Sequence, residues 1–133
     1  MTATGAADQS GRINAGVHAV SRWIDAHPDN RDRDPEALLW GRVTKVGEEA
    51  GEVIAALVGA TGHNPCKGRS ATMADVQREL FDVAMTALCA VAHLHRPDAC
   101  QPDVVGLLAA HVDEVAARAG LTHNDSPPAR PSR

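Results

Sequence analysis

Four acidic side chains fall in two pairs with the same internal spacing, Glu49 with Glu52 and Glu79 with Asp82. Residues three apart share one face of an α-helix, and both pairs lie inside long helical patterns. Two such helices side by side would bring four carboxylates to one point. Like charges at that range disfavour one another's ionised form. A hard divalent cation that prefers oxygen donors, Mg²⁺ or Mn²⁺, resolves the conflict. The expected chemistry is therefore a metal centre that handles phosphates, built on helices.

The elements that must position these acids are legible in order. Ile13, Val17, Val20 and Ile24, with Trp23 beside them, recur at three- and four-residue spacing and predict a first helix over 12–27. Residues 1–11 are small and polar and are expected to be disordered. The stretch from His27 to Asp34 is expected to be a charged connection. Asp34-Pro35-Glu36 is a helix start, with Asp as N-cap and Pro in the first turn. It opens a second helix over 35–59, whose apolar stripe would be Leu39, Val43, Val46, Ala50, Val53, Ile54 and Leu57. Lys45, Glu49 and Glu52 form a separate line, with Glu48 at its edge. Gly47 and Gly51 would admit a close neighbour or ligand, or simply a helix contact.

A loop over 59–70 carries Asn64, Lys67 and Arg69. Thr72 and Asp75 form a capping-box pattern ahead of a third helix over 73–95. That helix is apolar around most of its circumference, which predicts burial. Asp75, Glu79, Asp82, Thr86 and His93 nevertheless share one polar line along it. Carboxylates on a buried helix are costly unless paired or metal-bound. A fourth helix over 102–119 has Val105, Leu108, Val112, Val115 and Ala116 on one face and ends at Gly120. A Pro-rich tail, 121–133, is expected to be disordered. Together these predict an all-α domain over 12–120, a bundle of four main helices. The third helix needs more apolar cover than its neighbours supply, which predicts a homo-oligomer, a dimer or a tetramer.

Composition removes other classes. The chain has 133 residues, net charge −4, and 2% aromatic content, so there is no basic footprint for nucleic acid. No apolar run is long enough to span a bilayer, and no secretion signal precedes the first helix. Cys66, Cys89 and Cys100 are odd in number and lack C-x-x-C spacing, which fits free thiols in a reducing cytoplasm. No Glu is followed by His three residues on, which argues against a di-iron carboxylate bundle.

Glu48-Glu49-Ala50-Gly51-Glu52, then 26 residues, then Glu79-Leu80-Phe81-Asp82, resembles the EExxE…ExxD signature of the MazG-like all-α nucleotide pyrophosphohydrolases. The resemblance covers roughly residues 35–95. It implies Mg²⁺-dependent hydrolysis of a nucleoside triphosphate between the α and β phosphates, giving monophosphate and pyrophosphate, with house-cleaning of non-standard nucleotides as one role. Glu49, Glu52, Glu79 and Asp82 would be metal ligands. Glu48 would orient or deprotonate the attacking water, or support a second ion. Lys45 could reach a phosphate or the acids, or serve only as a helix-stabilising pair. Lys67 and Arg69 are candidates for the triphosphate tail, Asn64 for base or sugar, and Trp40 for base stacking or an interface. Two alternatives share the motifs: a nucleotide or metal sensor without turnover, and a phosphoribosyl-ATP-type pyrophosphohydrolase.

Overall fold

The structure, a computed structural model, describes residues 3–96 and 101–121. Five helices and no strand occupy the described residues: α1 (Ala3–Ala26), α2 (Pro28–Arg31), α3 (Pro35–Thr61), α4 (Met73–Leu94) and α5 (Val104–Arg118). The all-α expectation holds. Cys100, Pro97 and the tail from Thr122 onward lie outside the described residues.

The helix ends follow the local chemistry. Asp34 caps α3, its Oδ1 accepting the N–H groups of Glu36 and Ala37 at 3.0 Å each. Thr72 and Asp75 form the reciprocal capping box at the start of α4, satisfying two otherwise orphaned N–H groups. Gly120 takes φ +71°. Gly120 N–H reaches Ala117 O and Leu121 N–H reaches Ala116 O, the 5→2 and 6→1 pair of a Schellman stop.

Three boundaries differ from expectation. α1 begins at Ala3 rather than 12, because Ala3, Ala6, Ala7 and Gln9 favour helix and extend it N-terminally. The 28–31 segment is a short helix rather than plain connection; His27 caps it and Pro28 starts it. α5 begins at Val104, two residues late. Asp103 becomes its N-cap through Gly106 N–H at 3.0 Å, and Val104 N–H donates to Asn14 Oδ1 of α1 at 2.9 Å. His18 Nε2 also bonds Pro102 O at 2.8 Å, so the start of α5 is pinned to α1.

α3 and α4 make the most extensive pairing in the molecule, and α1 packs on α4. The pair runs antiparallel. Gly59 faces Ser70 and Ala71 so closely that a Cβ there would sit 2.9 Å from Ser70 Oγ, which excludes larger residues at this turn. Among the described residues, nothing beyond the helix's own backbone lies within 4 Å of a Cβ placed on Gly47 or Gly51.

The packed seams are not the apolar stripes. On α3 the covered residues are Arg42, Val46, Glu49, Val53 and Ala56, at alternating four- and three-residue steps. On α1 they are Asn14, Val17, His18, Ser21 and Asp25. On α4 the covered residues are Asp75, Val76, Glu79, Val83 and the whole stretch 85–93, so the expected polar line lies on the packed side except at Asp82. Among the described residues, only Val17, Leu38, Cys89, Ala90, Ala92 and Val104 are buried apolar residues. The expected burial of α4 on all sides holds over 85–93, where every residue is covered, and fails earlier in the helix, where Leu80 and Phe81 are 53% and 64% exposed. Trp40, Val43, Ile54 and Leu57 on α3 and Leu108, Val112 and Val115 on α5 are exposed as well. The physical reason is coverage. Helices α1, α3 and α5 all pack on α4, and the cover they give is complete in its second half and partial in its first.

Candidate metal centre and adjoining cavity

Glu49 of α3 and Glu79 and Asp82 of α4 offer carboxylate oxygens that all lie within 4.8 Å of one another. Helix spacing explains the trio. Glu49 is a seam position of α3, and Glu79 is a seam position of α4 one turn before Asp82. Antiparallel packing brings the two positions level. Glu49 and Glu79 are half-buried and Asp82 is exposed. Unit charges 4.8 Å apart repel by about 0.9 kcal/mol in bulk water and about 3.5 kcal/mol at an effective dielectric of 20, so the trio is costly without a cation.

Two basic side chains reach the edge of this cluster. Lys45 Nζ lies 2.8 Å from Glu48 Oε1 and 2.9 Å from Glu49 Oε1. Hydrogen bonds to Glu48 and then Glu49 hold the Lys45 ammonium well above its ordinary pKa. Arg78 pairs with Asp75 at 2.9 Å and touches Glu79 at 3.4 Å. Five carboxylates thus share two cations, and Asp82 makes no ion pair or hydrogen bond among the described residues. The three carboxylates on two helices could hold a metal ion, for which oxygen donors suit a hard cation.

Glu52 is not one of the trio and is exposed. The seam of α3 runs from Glu49 to Val53, so Glu52 sits one position off it on the flank.

A cavity of about 450 Å³ adjoins the trio. Lys45 and Glu49 form its polar wall, and Val20, Trp23, Ile24, Leu38, Met85 and Thr86 supply much of the rest. Asn30, Arg33 and Arg42 also border it. Asn30 is oriented by its own amide, whose Nδ2 donates to Ile24 O at 2.9 Å. Trp40, expected as a stacking residue, is 65% exposed and does not line this cavity; Trp23 does. The two are equally open, Trp23 at 68% exposed, so it is position beside the cavity and not burial that separates them.

The loop residues Asn64, Lys67 and Arg69 are not brought to the trio. Gly62 lies about 20 Å along the helix from Glu49 at 1.5 Å per residue. Asn64 instead builds the loop itself, its Oδ1 accepting Cys66 N–H at 3.0 Å and its carbonyl accepting the N–H groups of Lys67 and Gly68. Lys67 and Arg69 are exposed.

A second polar cluster was hidden in the sequence. Arg42 Nη2 donates to Ser21 Oγ at 2.6 Å and to Cys89 O at 2.9 Å. Asp25 accepts His93 Nδ1 at 2.9 Å and lies 3.8 Å from Arg42 Nε. The signal that could have found it is the seam spacing itself: Ser21 and Asp25, Arg42 and Glu49, and Thr86 and His93 each step by four or seven. The Cys89 thiol is pushed up by burial, which suits a core filler and not a nucleophile. Among the described residues no helix is long and apolar enough to cross a membrane. The chain matches no family model, no curated protein and no solved structure.

Proposed function

We propose that the protein is a Mg²⁺-dependent nucleoside triphosphate pyrophosphohydrolase, as the resemblance to the MazG-like enzymes implies. One observation carries the reading: Glu49, Glu79 and Asp82 converge from two helices within 4.8 Å at the mouth of a cavity that shares Glu49 and Lys45. Glu49, Glu79 and Asp82 would hold the ion, with Mn²⁺ as a substitute. A divalent ion in that position supplies charge neutralisation for phosphate oxygens and a Lewis acid at phosphorus.

The chain's own groups have separate tasks in this reading. Glu48, 63% exposed at its side chain and tied only to Lys45, is free to take a proton from water or to orient it. Lys45 bridges the two glutamates without substrate, and its ammonium can turn to a phosphate when an ion occupies the acids. Trp23, Ile24, Leu38 and Met85 would shelter the nucleoside, with Asn30 and Arg33 as polar contacts at its edge. Glu52, on the flank of α3, would join only by a rotamer change. Asn64, Lys67 and Arg69 lie too far along α3 to serve the same phosphate group in one chain.

The second reading, a nucleotide or metal sensor without turnover, is favoured by the position of Glu52. An intact EExxE set would need that carboxylate, and three ligands alone can hold an ion.

The working unit in this proposal is a cytoplasmic homo-oligomer. Among the described residues, sixteen large apolar side chains stand exposed while six apolar residues, mostly small, are buried. Exposed apolar surface on that scale marks an association face. Sedimentation equilibrium should give a mass of at least twice the 14.0 kDa chain; a monomer at micromolar concentration would overturn this part.

The activity test separates the readings. Protein, Mg²⁺ and a panel of NTPs and dNTPs are incubated and the products identified. Pyrophosphate with monophosphate supports the enzyme, and tight binding without product supports the sensor. Orthophosphate as the sole inorganic product would refute cleavage between the α and β phosphates.

A further inference from the structure

We infer that the buried network of Asp25, Arg42 and His93 sets the register of α3 against α4, and so holds Glu49 opposite Glu79 and Asp82. The three side chains come from α1, α3 and α4, one each. Arg42 and His93 are 7% and 8% exposed. Arg42 crosses from α3 to the Cys89 carbonyl of α4 and to Ser21 of α1, and Ser21 Oγ donates to the same carbonyl at 3.2 Å. His93, one turn beyond Cys89, returns to Asp25.

The buried apolar side chains are a weak key for this register, and the close Gly59–Ser70 approach and hydrogen bond hold the turn end of the pair. The buried apolar residues are mostly Val, Ala and Cys, and side chains of similar size tolerate a slip of one turn. A slip would carry Glu49 about 5.4 Å along α4 and disperse the trio. The directional hydrogen bonds of Arg42 do not tolerate it. Arg42 and Glu49 occupy the same seam of α3 two turns apart, so a grip at Arg42 is transmitted along a rigid helix to Glu49.

The network is also a poor device for stability alone. Asp25 Oδ1 and Arg42 Nε are buried without a hydrogen-bond partner among the described residues. Buried ion pairs often stabilise no better than apolar groups of the same shape, and their best-attested use is to specify one arrangement. Arg42, Asp25 and His93 are therefore positioning residues, and none of them touches the acid trio. The consequence for metal binding rests on the function proposed above; the register does not.

The test compares the parent with Asp25→Leu/Arg42→Met/His93→Leu, which replaces the network by apolar groups. In metal-free protein, NOEs between the side-chain methylenes of Glu49 and those of Glu79 and Asp82 read the register directly. The triple variant is expected to keep its helical circular dichroism and its melting temperature or raise it. It is also expected to lose or displace those NOEs and to bind Mn²⁺ at least tenfold more weakly by paramagnetic resonance. A folded triple variant with unchanged NOEs overturns the proposal. Should it not fold, Arg42→Lys decides, because it keeps the charge and loses the fork to Ser21 and Cys89: displaced NOEs support the proposal and unchanged ones refute it. Glu79→Asn serves as control, losing Mn²⁺ while the methylene NOE from Glu49 to Asp82 persists. A parent that binds no Mn²⁺ refutes the metal reading only, since the NOE comparison still decides the register.

Discussion

The two ends of the α3–α4 seam treat charge in opposite ways. At the Arg42 end, one carboxylate lies between a guanidinium and an imidazole, all three deeply covered. At the Glu49 end, three carboxylates converge, half open to solvent, with Lys45 and Arg78 on the rim. Both ends place polar groups where a helix pair would ordinarily bury Leu or Val. The closed end pairs its carboxylate with a guanidinium and an imidazole of the same chain, although Asp25 Oδ1 and Arg42 Nε make no hydrogen bond there. The open end carries a negative excess that only something from outside can match. Polar seams of this kind distinguish a structural network from a binding site by the sign of what is left over.

The largest expected effect breaks the closed end. Arg42→Met leaves Asp25 buried against His93 alone and orphans the Cys89 and Ser21 contacts. Removing one member of a buried ion pair costs about 3–5 kcal/mol. Denaturant unfolding at fixed protein concentration should show that loss. A change below 1 kcal/mol would mean that the closed end is not a coupled network.

The open end should behave in the reverse sense. Glu49→Gln or Asp82→Asn removes a repelling charge, so metal-free stability should hold or rise. What disappears is stabilisation by added Mg²⁺ or Mn²⁺. A ligand at one hundred times its Kd stabilises a folded protein by about 2.7 kcal/mol. The parent should gain a thermal shift of that origin and the variants little or none, together with loss of pyrophosphate release. Equal metal-induced shifts in parent and variants would remove the trio from consideration.

This contrast explains what the sequence made legible. Caps were readable because they depend on neighbours in sequence: Asp34, the Thr72–Asp75 box and Gly120 all stand as their types dictate. The pairing of Glu49 with Glu79 and Asp82 was readable because both motifs lie on helices joined by one loop. The inward faces were not. Two stripes run along α3, one apolar through Val43, Ala50, Ile54 and Leu57, and one mixed through Arg42, Glu49 and Val53. Hydrophobicity favours the first as the core, yet the single chain covers the second. A sequence carries no label for apolar surface that faces outward in its own chain. The same phase difference leaves Glu52 on the flank of α3 and puts Arg42 on the covered seam.

A smaller effect belongs to the turn into α4. Thr72→Ala removes the hydroxyl that accepts Asp75 N–H at 3.2 Å and donates to Asp75 Oδ2 at 2.8 Å. Loss of an N-cap of this kind costs about 1 kcal/mol. Asp75 gives the same box a pH signature. Bonds from Thr72, then from Arg78, hold its carboxyl below the ordinary value of 3.8. A depressed folded-state pKa means that its contribution is fully present above pH 3.8 and is lost as pH falls through the lower folded value. The Thr72→Ala deficit should therefore be constant from neutral pH to about pH 5 and shrink only under more acid conditions. A deficit that vanishes near neutrality would assign the stabilisation to another group. Neither change should alter metal affinity, because Thr72 and Asp75 lie outside the trio.

The smallest stability effect separates the two uses of Lys45. Its pairs with Glu48 and Glu49 are exposed on the Lys45 side, and such pairs contribute about 0.2–1 kcal/mol. The raised ammonium pKa places that contribution fully below pH 10 or so and removes it as pH rises through the still higher folded-state value. Lys45→Met should therefore cost little stability near neutral pH. Its effect on metal has an expected sign, because Lys45 pairs with Glu49, one of the carboxylates an ion would use. Removing this competitor should tighten Mn²⁺ binding severalfold. If the ammonium then moves to a phosphate, the same variant should bind the ion better and release pyrophosphate more slowly, with the loss in kcat. Tighter metal with unchanged turnover would leave Lys45 as a helix-stabilising pair alone. Weaker metal would show that the ammonium organises the acids and does not compete for them, and the open end would then be partly self-balanced, much as the closed end is.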